Sequence, residues 1–258
     1  MRTHLVRCFG TTPGTGNVAM VIEDGPATPA ERQAFAAAQN CSACVFLSAD
    51  ATIEADFYYP HARSPLCLHA TLAAAHVLFE RGGATQLTTA MRGQPLELRR
   101  TADGTFAGVR RQAVAPLGVD AALAAHLLGV PGLQLASAPL LSSVGSPKLL
   151  IAVREPAVLH ALQPPLARIV EWGKANGVNG CYVYCQTGER AYEGRNFNHL
   201  DAALEDHATG VAAGALSAWL GQPLTLYQGA ALGNPCRIVT ALDGDTILVG
   251  GATEGITE

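Results

Sequence analysis

The sequence predicts an α+β fold built twice, as two pseudo-repeated units, each a mostly antiparallel or mixed sheet wrapped around one central apolar helix. Three observations carry that prediction. Residues 72–79, a run of Leu, Ala, His, Val and Phe without Gly or Pro, follow the polar cluster Cys67, His69 and Thr71, and read as a helix buried on nearly every side. The pattern His-Ala-Thr-x-x-Ala-Ala-x-x-Leu of that stretch recurs without a gap from His207, 138 residues after His69. Two shorter matches fall in the same order, residues 16–22 with 145–151 and 43–46 with 180–183, at offsets of 129 and 137. One match of small residues in an alanine-rich chain means little; three in the same order, with offsets drifting only from 129 to 138, argue for a duplicated unit.

In chain order, residues 4–9 and 18–22 read as strands around the Gly/Thr/Pro loop that ends at Asn17. Residues 28–39 read as a helix, with Thr28 as the cap, Pro29 in the first turn and Glu31 near the third position. Strands are expected at 44–47 and 54–59, then the apolar helix, stopped at Arg81-Gly82-Gly83. Residues 85–100 and 105–114 read as two further strands about an Asp103-Gly104 turn. Ala115-Pro116-Leu117-Gly118 is the natural place to cut the chain, giving units 1–115 and 116–258, with the C-terminal tail a candidate to complete the first. Beyond it, 120–128 is helical, 144–153 contains a strand, 156–173 a helix and 180–184 a strand. The second alanine-rich helix spans 208–220, and strands at 223–228, 237–242 and 246–249 close the chain.

With 49% hydrophobic and 15% charged residues in 258, there is material for sizeable cores and no sign of disorder. A net charge of −4 with dispersed Lys and Arg argues against a nucleic-acid partner. No run approaches the 18 apolar residues of a membrane span, and the opening residues lack a secretory apolar region. Seven cysteines, an odd number, fit a reducing cytoplasm. If the halves face one another, both helix N-termini can aim backbone N–H groups at a carboxylate in one cleft, with acids and bases on opposite sides. That geometry suits a racemase, epimerase or double-bond isomerase without a cofactor.

The segments Gly16-Asn17-Val18, Asn40-Cys41-Ser42-Ala43-Cys44, Cys67-Leu68-His69-Ala70-Thr71, Arg195-Asn196-Phe197 and Glu205-Asp206-His207-Ala208-Thr209-Gly210-Val211-Ala212 resemble, in order and spacing, the motifs of the phenazine-biosynthesis PhzF-like family. Gln228-Gly229 and Gly233-Asn234-Pro235 resemble its late motif. That family shares the diaminopimelate-epimerase-like fold. The resemblance implies a cofactor-independent isomerase of small carboxylated metabolites and a homodimer. It also implies a substrate lining drawn from Gly16, Asn17, Ser42, Ala43, Cys44, Leu68, Ala70, Thr71, Thr209, Gly210 and Val211. The family's general acid/base Glu falls on Ala43, which moves no proton. Leu68, His207 and Val211 replace a Gly, a Pro and a Ser, so the site is either changed in reaction or silent, a binder of small carboxylates.

The candidate catalytic residues are His69, Asp206, Cys67 and His207. His69 matches the family's cleft histidine, against the alternative of a hydrogen-bonded cap residue. Asp206 matches its second-half aspartate, against that of a helix-capping carboxylate. Cys67 stands where the two-thiol epimerases of this fold carry one base, with His207 near the place of the other; the alternative is an inert buried thiol. Cys41-x-x-Cys44 and Cys181-x-x-x-Cys185 lack the spacing of a zinc site, so no metal is expected. His199, near Arg195-x-Phe197, carries no motif of its own.

Overall fold

Short runs with buried and exposed side chains in alternation form the first sheet. β1 (Arg2–Cys8) and β2 (Asn17–Glu23) pair antiparallel from Arg2↔Glu23 to Cys8↔Asn17. The computed structural model describes residues 1–49, 52–198 and 205–256. Helix α1 (Pro29–Ala37) starts on a complete capping box: the Glu31 amide donates to Thr28 Oγ1 and the Thr28 amide to the Glu31 carboxylate. It crosses to β3 (Ala43–Ala49), which lies parallel to β2; β4 (Ile53–Tyr58) then runs back antiparallel to β3. After the two-residue β5 (Arg63–Ser64) comes α2 (Leu68–Glu80), followed by β6 (Gln86–Thr89), β7 (Pro95–Thr101) and β8 (Gly104–Arg110).

α2 is buried from Leu68 through Ala75 and again at Val77, and it packs on β1, β2 and β3. Alanines on its flanks let the strands approach closely, while Leu72, with no exposure, contributes about 2 kcal/mol by burial. The expected strand at 85–100 is two strands. Thr89 binds Gln94 through both its amide and its hydroxyl, and Gly93 turns at φ +60°, so the chain reverses at residues 90–94 before Pro95.

The second group of elements is α3 (Ala121–Leu128, capped by Asp120), β9 (Leu140–Ser142), β10 (Lys148–Ala152), α4 (Pro156–Ala161), α5 (Leu166–Asn176), β11 (Cys181–Gly188) and β12 (Ala191–Phe197). The expected single helix within 156–173 is a pair, because Pro164-Pro165 cannot continue the first one. β12 was not among the sequence expectations: Gly194 interrupts its pattern. A Cβ at Gly194 would stand 2.1 Å from the Tyr182 hydroxyl, so the strand needs glycine there. Then come β13 (Glu205–Asp206), α6 (Gly210–Leu220, stopped by Gly221 at φ +64°), β14 (Thr225–Gln228), β15 (Cys236–Asp243), β16 (Thr246–Gly251) and β17 (Thr253–Ile256).

The chain divides into two compact units, one of Met1–Val109 with Leu248–Glu258, the other of Arg110–Ile247. β17 returns to the first unit, pairing antiparallel with β1. In that unit the ladders β1–β2–β3–β4–β6–β7 run antiparallel, parallel, antiparallel, parallel, antiparallel. The ladders β9–β10–β11–β12–β14–β15 of the other unit follow the same succession. The chain is thus mixed α/β, with mixed sheets and few helices. No helix among the described residues is long and apolar enough to cross a membrane.

Candidate functional site

Cys67 is the N-cap of α2, in extended conformation, and its carbonyl accepts from both the amide and the hydroxyl of Thr71 at 2.9 Å. Those two hydrogen bonds fix the first turn, which holds the Cys67 sulfur 3.5 Å from His69 Nδ1. Cys67 is 1% exposed and His69 6%. Behind them the Cys8 thiol donates to the His69 carbonyl at 3.2 Å. Burial pushes the Cys67 thiol up. The charge and hydrogen bond of His69, with further hydrogen bonds from Tyr59 and the Ala70 amide, outweigh burial and leave it below the ordinary thiol value. The contact places a thiol whose ionisation is favoured directly beside an imidazole at the head of a helix.

In the same unit, Gly16 (φ +119°) closes the loop before β2; a Cβ there would meet the Cys8 carbonyl at 2.7 Å. Asn17 is 1% exposed at the head of β2, and the Ser42 amide donates to the Val18 carbonyl while the residue itself is exposed. Ala43 begins β3 opposite Ala19 and is 1% exposed, so its methyl group is buried at the start of the strand. Leu68, Ala70 and Thr71 are all buried along the first turn of α2.

In the other unit, Asp206, His207 and Thr209 are half-buried and form the turn into α6, while Gly210 is its first, buried residue and Val211 is half-buried. α6 thus begins two residues later than the expected 208, with Thr209 as its cap. The reason is Gln228, 2% exposed, all four of whose amide hydrogen-bonding positions are used. Its Nε2 donates to the Asp206 carbonyl (2.7 Å) and to Thr209 Oγ1 (3.1 Å), and its Oε1 accepts from the Thr209 amide and the Tyr182 hydroxyl. The Thr209 hydroxyl in turn donates to Asp206 Oδ2 at 2.6 Å. Next to this turn, Arg195 holds Glu205 through two nitrogens, at 2.8 and 2.7 Å.

One charged group here was missed in the sequence. Lys148 heads the apolar strand β10, is 1% exposed, and donates to Asn196 Oδ1 at 2.8 Å; Asn196 pairs with Asp206 in the ladder. The available signal was the repeat itself, which aligns Lys148 with the fully buried Ala19. Burial pushes the Lys148 ammonium down to about 8, against the opposing charge of Asp206. The folded state therefore binds fewer protons than the unfolded one between about 8 and the ordinary 10.5, so this group's contribution to stability is complete above 10.5 and is lost as pH falls through about 8. Wild type is expected to gain on Lys148→Met by about 3 kcal/mol across that window, read by denaturant unfolding. A constant difference would rule out a buried ammonium.

Among the described residues no group of three or more His, Cys, Asp or Glu side chains is placed to hold a metal ion. His199 lies outside the described residues.

A family profile described as "Phenazine biosynthesis-like protein" matches residues 6–247. The chain is 32% identical to an uncharacterized isomerase of Deinococcus radiodurans, over 90% of this chain and 84% of the relative. It is 26% identical to the trans-2,3-dihydro-3-hydroxyanthranilate isomerase of Pseudomonas aeruginosa, covering 94% and 91% of the two chains. The solved structure of a predicted epimerase from the same organism superposes with a TM-score of 0.80 at 26% identity, over 99% of this chain and 97% of that one.

Proposed function

The chain belongs to the phenazine biosynthesis-like protein family, and from that membership we propose that it is a cofactor-independent isomerase moving a proton on a small carboxylic acid, with the Cys67–His69 pair in place of the carboxylate absent at Ala43. Relatives named isomerase and epimerase support the isomerase class. The observation that carries the finer reading is the buried thiol at a helix N-terminus, 3.5 Å from an imidazole and held below its ordinary pKa.

In this mechanism the Cys67 thiolate takes a proton from a carbon activated by the substrate carboxylate, and the electron pair moves into the conjugated system. The proton returns at a second carbon or on the opposite face, so no net redox change occurs. His69, as the imidazolium, holds the thiolate in its ionised form, and the abstracted proton rests on the Cys67 sulfur while the intermediate lasts. Asp206, oriented by Thr209 and Gln228, accepts a hydrogen bond from a substrate ammonium or hydroxyl. His207 is the second candidate proton carrier. We further read the two units as copies of one ancestral unit; the shared succession of ladders supports this, as does the paired helix motif. A cytoplasmic homodimer belongs to the same proposal. All seven thiols being free accords with a reducing compartment.

The test is proton exchange followed by NMR in D2O, with amino-substituted and cyclic unsaturated carboxylic acids as substrates. The substrate of the anthranilate-type relative comes first. Deuterium uptake at one carbon of one of these acids is the expected result. Ala43 also favours a second reading, a silent binder of small carboxylates, because a methyl group carries no proton. Heat of binding without exchange, and exchange gained only on Ala43→Glu, would establish that reading and retire the first.

A further inference from the structure

Outside the Cys67–His69 pair lies a second sulfur cluster that the proposed reaction does not use. We propose that Cys41 and Cys44 form a redox-active dithiol that reduces low-molecular-weight disulfides of the glutathione type and closes to an internal disulfide. The two sulfurs stand 3.8 Å apart, and a bond requires about 2.05 Å, a closure within reach of side-chain rotation and a small loop shift. Cys44 cannot supply much of that movement. It sits in β3 between Met20 and Tyr58, paired on both sides, and is 1% exposed. Cys41 can: it lies in the run of bends between α1 and β3 and is partly exposed.

The two thiols are electrostatically unlike. Cys44, hydrogen-bonded to Cys41, is the main influence holding Cys41 down to about 7, with backbone contacts of Met20 and Ala43 and the His69 charge in support and burial opposing. The same contact, with burial, drives Cys44 up. A partly exposed, easily ionised thiol next to a buried, protonated one is the division of labour that thiol–disulfide exchange requires: one attacks, the other resolves. The Cys41 thiolate attacks one sulfur of the glutathione disulfide, forming a mixed disulfide and releasing one glutathione thiolate. Cys44 then attacks the Cys41 sulfur, its proton passing to the second glutathione thiolate as that leaves. Two protein thiols are oxidised and one small disulfide is reduced to two thiols. In the second unit Cys181, Cys185 and Cys236 are all buried and pushed up, by burial first, to about 12, 11 and 12.

This inference stands apart from the isomerase reading, and its test does not involve activity. The protein is equilibrated in glutathione buffers of increasing oxidation, quenched in acid, alkylated and digested with trypsin. Peptide 33–63 contains both cysteines and no others. In wild type it is expected to lose two hydrogens and both alkyl groups as the buffer becomes oxidising. In Cys44→Ser it is expected to retain glutathione on Cys41, because the resolving thiol is gone; in Cys41→Ser it should do neither. Alkylation of Cys41 under reducing conditions should rise with pH through about 7. Two alkylated cysteines on that wild-type peptide at every buffer ratio would overturn the proposal, as would equal adduct formation in Cys41→Ser.

Discussion

Cys67→Ala is expected to slow proton exchange about 10²- to 10⁴-fold, the usual contribution of one acid/base group, with the fold intact. The substitution removes one sulfur from a site whose backbone is held by Thr71 rather than by the thiol, so α2 should keep its first turn. Cys67→Ser separates chemistry from packing: a hydroxyl fills nearly the same space but does not ionise near neutral pH, so it should be almost as slow. His69→Ala should cost a similar factor, and the double variant little more than either single one, since the pair acts as a unit. The pH profile gives an independent reading. Exchange should rise as the thiol ionises, with a midpoint below the ordinary 9.0. In His69→Ala that midpoint should move upward, because the imidazole is what offsets burial. Cys67→Ala exchanging within threefold of wild type would remove Cys67 from the mechanism.

The apolar core elements were legible because periodicity and breakers coincide with them. The run from Leu72 to Phe79 has no Gly or Pro and forms one helix, and Thr28 with Glu31 announces the start of α1. Where the sequence misled, a tertiary contact outweighed local preference. A glycine inside a strand weakens the local signal for one, yet Gly194 is what lets β12 pass the Tyr182 hydroxyl. Ala208 has better helix propensity than Gly210, but Gln228 pins the preceding turn from a different strand. Residue types at the candidate site could be read from motifs. The thiol–imidazole contact could not, because it depends on how Cys67 and His69 are turned at the head of the helix. Lys148 escaped for a related reason: a charge at the head of an apolar strand reads as a solvent-facing end until the strand is seen to be buried.

Asp56→Ala is expected to destabilise the protein by about 3 kcal/mol, the largest stability effect of any single side-chain truncation argued from these contacts. Asp56 and Tyr58 sit two residues apart on one face of β4, and both are almost fully buried. The carboxylate accepts from Arg32 at 2.9 Å, Arg63 at 2.7 Å and the Tyr58 hydroxyl at 2.9 Å, so it joins α1, β4 and β5. Arg32 also lies over the Phe46 ring and Arg63 over the Tyr58 ring, which limits their freedom to turn toward water. Truncation leaves two guanidinium groups and a buried hydroxyl facing an apolar space. The arginines are 19% and 33% exposed, so partial hydration keeps the loss at the low end of the range for broken buried pairs. On thermal unfolding that loss corresponds to a fall in Tm of about 6–12 °C. Asp56→Asn keeps the shape and an acceptor for Tyr58 and should lose about half as much. The consequence for chemistry follows from the chain path: α1 leads through the bends at 39–42 into Cys41 and Ala43, so loosening Arg32 should also raise the reactivity of Cys41 toward alkylation. A loss under about 1 kcal/mol would mean that Arg32 and Arg63 find water as readily as they find Asp56.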